Sequence, residues 1–146
     1  MNRAINKYKN VSVESGLEGA SPYQVTKKLF DGCMIFIKQA KVAVANKDFE
    51  KKSFHISKAQ AIITTLASSL QTDKNEEVGG NLLALYDFCL NRLIEASAEM
   101  NTEKLDIVEK IMGDIKSGWD SIPAAAIHQA EAMRNPDNGK VSTDAG

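Results

Sequence analysis

Little in this chain is suited to covalent chemistry. It holds two histidines and two cysteines, and no CxxC, HExxH or glycine-rich phosphate loop. Cys33 and Cys89 stand far apart, each among apolar helical neighbours. They read as buried free thiols in preference to a disulfide or a metal pair. No apolar run approaches the roughly 20 residues of a membrane span, and no signal-peptide pattern opens the sequence. The expected location is therefore the cytoplasm. An excess of one charge is also missing: 18 Lys and Arg stand against 19 Asp and Glu, for a net charge of −1. A nucleic-acid or anionic-membrane surface would leave a basic patch, so neither partner is expected. The carboxylates sit on polar faces among lysines, a solvated surface and not an acid/base pair. Strand signals are absent, and Gly79-Gly80, which reads as a helix-start turn, lacks the strand a dinucleotide fold requires. A di-iron centre would need inward-facing Glu-x-x-His pairs. His128 and Glu131 run in the reverse order and fall in the C-terminal tail. No cofactor or metal is expected.

What the chain does have is helical periodicity. Its 146 residues, 43% hydrophobic and 25% charged, suit one domain with a real core. The clearest helix start is Ser21-Pro22-Tyr23-Gln24, with a capping serine, proline in the first position and glutamine where a capping box needs it. The helix it opens runs to about Asn46, with Val25, Leu29, Cys33, Phe36, Ile37, Ala40, Ala43 and Val44 on its main face. Ile35 and Val42 form a second short stripe on the opposite side. After a turn at Asn46-Lys47-Asp48, a second helix spans about Phe49 to Gln71. Ile56, Ala59, Ile63, Leu66, Ala67 and Leu70 share its apolar face, with Ile62 at the border. Residues 72–77 are a polar connection. Thr102 is the expected cap of a last helix to about Ile122, where Leu105, Val108, Met112, Ile115, Trp119 and Ile122 repeat in steps of three and four. Pro123 should end it.

Between these lies the most apolar helix, from about Val78 to Ala98. On a wheel of about 100° per residue, Leu82, Leu85, Tyr86, Cys89, Leu93 and Ala96 share one face. Leu83, Leu90 and Ile94 widen it, and Phe88 stands alone on the far side. The stripe exceeds the usual width of a little over about 100°, so this helix is central to its domain or has a partner outside it. Leu82, Tyr86, Cys89 and Leu93 are assigned to the core. Leu83, Leu90, Ile94 and Phe88, with Ile35 and Val42, are the candidate partner-binding residues.

The resulting expectation is an all-α protein, an antiparallel four-helix bundle over residues 21–122. Residues 1–20 form a short N-terminal helical arm, in which Ile5, Tyr8 and Val11 recur every three residues and need a surface to lie on. Residues 123–146 form a C-terminal tail, alanine-rich at first and almost without apolar residues from Asn135, hence disordered.

Two families resemble parts of this pattern. His55-Ile56-Ser57-Lys58-Ala59 is similar to the His-x-x-Lys-Gly of histidine phosphotransfer domains, with Ala59 in place of the glycine that makes room for the partner. On the wheel His55 borders the apolar arc near Ile62. Phosphotransfer through His55 is the alternative function. A longer ordered set resembles the flagellar export chaperone FliS family. It comprises Val11-Ser12-Val13-Glu14-Ser15, Ala20-Ser21-Pro22, Leu29-Phe30-Asp31-Gly32 and Ser57-Lys58-Ala59, then Gly79-Gly80-Asn81-Leu82, Leu85-Tyr86-Asp87, Arg92-Leu93-Ile94-Glu95-Ala96 and Trp119. Phe88 and Ser97 depart from it, standing where tyrosine and asparagine are frequent. That resemblance implies a cytoplasmic chaperone, not an enzyme and without a cofactor. It implies binding of the disordered C-terminal segment of flagellin, prevention of premature polymerisation, and delivery to components of the flagellar type III export apparatus. It further implies that the N-terminal segment, with Ile5, Tyr8 and Val11, covers the binding groove until the client arrives.

Overall fold

The computed structural model describes residues 19, 21–70 and 76–121. The N-terminal residues Ile5, Tyr8 and Val11, the end of the seam at Ile122, Pro123 and the tail lie outside them. The described residues form four α-helices and no strand: α1 (Pro22–Ala45), α2 (Phe49–Leu70), α3 (Glu76–Glu99) and α4 (Thr102–Asp120).

Local chemistry sets these boundaries. The Ser21 Oγ accepts from the Gln24 N–H at 3.2 Å and the Gln24 Oε1 accepts from the Ser21 N–H at 3.0 Å, a closed capping box. Beyond α1 the Asp48 N–H reaches back to the Ala43 carbonyl and the Lys47 N–H to that of Val44, with Lys47 in the left-handed region at φ 56°. These two bonds complete a Schellman turn. Asp48 then accepts the Lys51 N–H through its side chain and starts α2. The α3–α4 turn repeats the device, with Met100 at φ 50° and Asn101 N–H bonded to Ala96 O.

Three sequence expectations need correction here. The cap of α4 is Asn101, whose Oδ1 accepts the Lys104 N–H at 3.0 Å, and Thr102 is already helical. Both residue types cap well, so the choice rests on the turn: only Asn101 has the extended backbone a cap requires. Helix α3 begins at Glu76, so Gly79-Gly80 lies inside its first turns and not before them. Helix α4 stops at Asp120, with Ser121 as its C-cap. An Asn101→Ala substitution is expected to lower unfolding free energy by about 1 kcal/mol, and Thr102→Ala by much less, as read by urea denaturation.

Each helix packs on its chain neighbours, and α4 closes the ring onto α1. Paired positions run in opposite directions: Tyr23 stacks on Trp119, and Lys41 meets Asp106. Likewise Lys52 meets Ser97, and Gly32 admits the Ile62 side chain to 3.4 Å of where a Cβ would sit. The bundle is antiparallel, as the periodicity implies.

The core joins Leu29, Cys33 and Ile37 of α1 to Ile56 and Ile63 of α2, Tyr86, Cys89 and Leu93 of α3, and Leu105, Val108 and Met112 of α4. Both thiols are free and buried. Phe30, which the wheel reading left off the apolar face, is 2% exposed and lies against Trp119. Leu85 goes the other way, placed on the apolar face by its phase yet 39% exposed. It sits about 80° round the wheel from Leu93, at the margin that the neighbouring helix leaves open.

Candidate functional site

The four seams between helices differ in what closes them. Both seams of α4 are closed by charge. On the α1 side, Lys41 Nζ lies 2.6 Å from Asp106 and 2.9 Å from Glu109, and Lys116 lies 3.5 Å from Asp31 and 2.6 Å from Asp120. On the α3 side, Lys104 reaches Glu95 at 2.9 Å and Glu99 at 3.0 Å, while Arg92 holds Glu95 at 2.6 Å. The hydrogen bond from Lys104 foremost holds the Glu95 carboxyl below its ordinary pKa, and the bonds to Asp106 and Glu109 raise that of Lys41. These groups are solvated, so they orient α4 more than they stabilise the fold.

The two seams of α2 carry no ion pair among the described residues. Each opens into a cleft instead. Between α1 and α2 lies one of about 260 Å³, lined by Gln39, Val42, Ala43, Lys51 and His55 among others. Between α2 and α3 lies a larger one of about 470 Å³, lined by Lys52, Ile56, Ser57, Ile94 and Ser97 among others. Each cleft has one exposed aliphatic side chain on its wall, Val42 at 60% and Ile94 at 58%, and Phe49 and Phe54 of α2 are also more than half exposed.

The sequence-derived candidates are thus divided among surfaces. Val42 and Ile94 line the two clefts that flank α2. Ile35 is exposed on the same outer stripe of α1, two turns before Val42. Leu83 is half-buried, and Leu90 is half-buried against the core. Phe88 is 39% exposed and falls on the opposite flank of α3 from Ile94, where the Arg92 guanidinium covers its ring at 4.7 Å. The wheel reading missed Phe49, Phe54 and Lys52. Two phenylalanines among polar neighbours, about 140° apart on the wheel, were the available signal for the first two.

His55 sits in the α1/α2 cleft between two rings, 6.1 Å from Phe36 and 5.2 Å from Phe54. Its Nδ1 is buried with no hydrogen-bond partner among the described residues. Lys58, which a phosphotransfer site would set beside the imidazole, lies over the Phe54 ring at 5.4 Å. His55 is thus half-buried between two rings, and Lys58 is engaged with Phe54 and not placed beside the imidazole. Among the described residues no group of histidine, cysteine and carboxylate side chains could hold a metal ion, and no helix is long and apolar enough to cross a membrane. What the site offers is apolar surface on either side of one helix.

Comparison with known proteins gives a consistent result. The family model described as "Flagellar protein FliS" matches residues 4–126. The flagellar secretion chaperone FliS of Vibrio cholerae is 35% identical over 123 residues, covering 84% of this chain and 90% of that protein. The flagellar secretion chaperone FliSB of Pseudomonas aeruginosa is 33% identical over 82% of this chain and 95% of its own length. The FliS of Salmonella typhimurium is 33% identical over 86% and 93%.

Proposed function

Because the chain belongs to the FliS family of flagellar secretion chaperones, we propose that its client is flagellin, held by the disordered C-terminal segment. The observation that carries this reading is the pair of clefts flanking α2, with Val42 and Ile94 exposed on their walls. A soluble protein seldom leaves such residues in company unless something covers them. A segment that folds as it docks lays an amphipathic face into a groove of this kind. The chemistry asked of the protein is binding alone. Occupying the flagellin segment keeps subunits from polymerising in the cytoplasm and hands them to the export apparatus. In this reading residues 1–20 cover the same surface before the client arrives, with Ile5, Tyr8 and Val11 supplying the contacts.

Titration calorimetry with the flagellin C-terminal segment tests the proposal. Folding on binding should bury about 1,000–3,000 Å² and give a large negative heat-capacity change. Absence of binding at tens of micromolar would overturn it. Deleting residues 1–17 should expose surface that takes up a hydrophobic dye, and an unchanged dye signal would reject the covering role of the arm.

A further inference from the structure

Among the described residues Lys52 is the most buried cation, 8% exposed in the first turn of α2. Its ammonium donates to the Ser97 carbonyl at 3.0 Å and to the Ser97 Oγ at 3.2 Å, with the Phe49 ring 6.0 Å away. Carbonyls in the last turn of a helix have no partner within it and favour a cation, so this contact ties α2 to the end of α3. It uses two of three N–H donors and brings no negative charge. The other cations that are not exposed, Lys41, Arg92, Lys104 and Lys116, each have a carboxylate within 3.5 Å. Lys52 has none among the described residues. A buried charge with only neutral acceptors is poorly compensated.

The larger cleft opens beside this group. Ser53, Ser57 and Gln60 of α2 and Ser97 of α3 supply its polar wall, and Ile94 its apolar one. A cation with hydroxyl and amide donors on one side and an aliphatic surface on the other matches an acidic side chain next to an apolar one. We infer that the α2/α3 cleft is a carboxylate site, in which an Asp or Glu of the docking segment pairs with Lys52 Nζ while a neighbouring apolar residue covers Ile94. The inference rests on the proposed client-binding function and adds the charge that the client must carry.

The test uses the full chain and the flagellin C-terminal segment, with each acidic residue of the segment changed singly to its amide. One of these changes should weaken binding to the unmodified protein at least tenfold. The same change should have little effect on a Lys52→Gln protein, because contacting groups are coupled. A second pair of variants leaves Lys52 alone. Ser57 is exposed, so Ser57→Glu and Ser57→Lys should both fold. The first should weaken binding at least tenfold by placing a competing carboxylate in the cleft, and the second should not. Equal effects of both signs at position 57, or additive effects of every acidic residue with Lys52→Gln, would overturn the carboxylate site while leaving client binding intact. If the unmodified proteins do not bind each other at all, it is the proposed function that fails.

Discussion

Replacing Val42 and Ile94 together with aspartate is expected to leave the bundle folded and to weaken binding of the flagellin segment by a hundredfold or more. Neither side chain supports the core: they are 60% and 58% exposed, and surface changes away from structural features stay within about 0.5 kcal/mol. In a complex that buries the α2 flanks the effect is different. Full burial of one such aliphatic side chain is worth about 1.5–3 kcal/mol. With about three-fifths of each left to bury, losing two removes about 2–3.5 kcal/mol, a range that spans the roughly 2.8 kcal/mol that a hundredfold in affinity represents. Burying two carboxylates weakens the complex further. Ile107 of α4 is a fair control, being 43% exposed on a helix that lines neither cleft. An Ile107→Asp protein should bind as the unmodified one does. Calorimetric affinities beside far-ultraviolet dichroism decide the matter. A double variant that binds normally would move the client off α2, and Phe88→Asp would then show whether the far flank of α3 takes it.

The second large effect concerns the thiols. Burial, with a smaller contribution from the neighbouring Cys89, pushes the Cys33 thiol up to about 12 from its ordinary 9.0, and burial pushes Cys89 up to about 11. Because the thiolate is the reactive form and neither thiol is exposed, labelling of Cys33 at pH 8 should be slowed at least about a thousandfold relative to the unfolded chain, with the ionisation penalty smaller for Cys89. The same shifts govern stability at high pH. Above pH 9.0 the unfolded thiols release protons that the folded ones keep, so the unfolded state binds fewer protons and stability falls as pH rises. Their contribution is complete below pH 9.0 and decreases by up to about 1.4 kcal/mol per pH unit for Cys33 until pH approaches 12. Lysines titrate in the same range, so the comparison is with a Cys33→Ala/Cys89→Ala protein, whose denaturation midpoint should fall less steeply between pH 9 and 11. Parallel slopes would show that the thiols are not the cause.

Periodicity and capping chemistry made most of the fold legible. The reciprocal bonds of Ser21 and Gln24 follow from residue types three apart, and Tyr86, Cys89 and Leu93 are buried where their phase puts them. What escaped depends on neighbours that one helix cannot reveal. Leu85 has the phase of a core residue but meets an open margin. Lys52 precedes Ile56, the first residue on the apolar face of its helix, and looks like surface, yet the end of α3 closes over it. The phase alone separates Ile94 from Phe88, but that Ile94 lines a cleft with α2 while Phe88 lines neither cleft depends on where the neighbouring helices sit. For the same reason the contrast between charge-closed and open seams could not be read in advance: the carboxylates of Glu95 and Asp106 find their cations across a turn or on another helix.

The capping box at Ser21 also works as a measuring mark. It fixes the point where α1 begins, at the end of the bundle opposite the Lys47 and Met100 turns. From there Ile35 is about 21 Å along α1 and Val42 about 31 Å, at 1.5 Å per residue. Val11 lies ten residues before Ser21 and Ile5 sixteen. Wound as a helix along α1, even Ile5 travels only about 24 Å and stops near Ile35. Drawn out at about 3.3 Å per residue, Val11 itself reaches Val42. For residues 1–20 to shield the α2 clefts as proposed, the path from Ser21 has to be largely extended, in contrast to the short helical arm expected from the sequence, and each residue deleted between Val11 and Ser21 should then shorten its reach by about 3 Å.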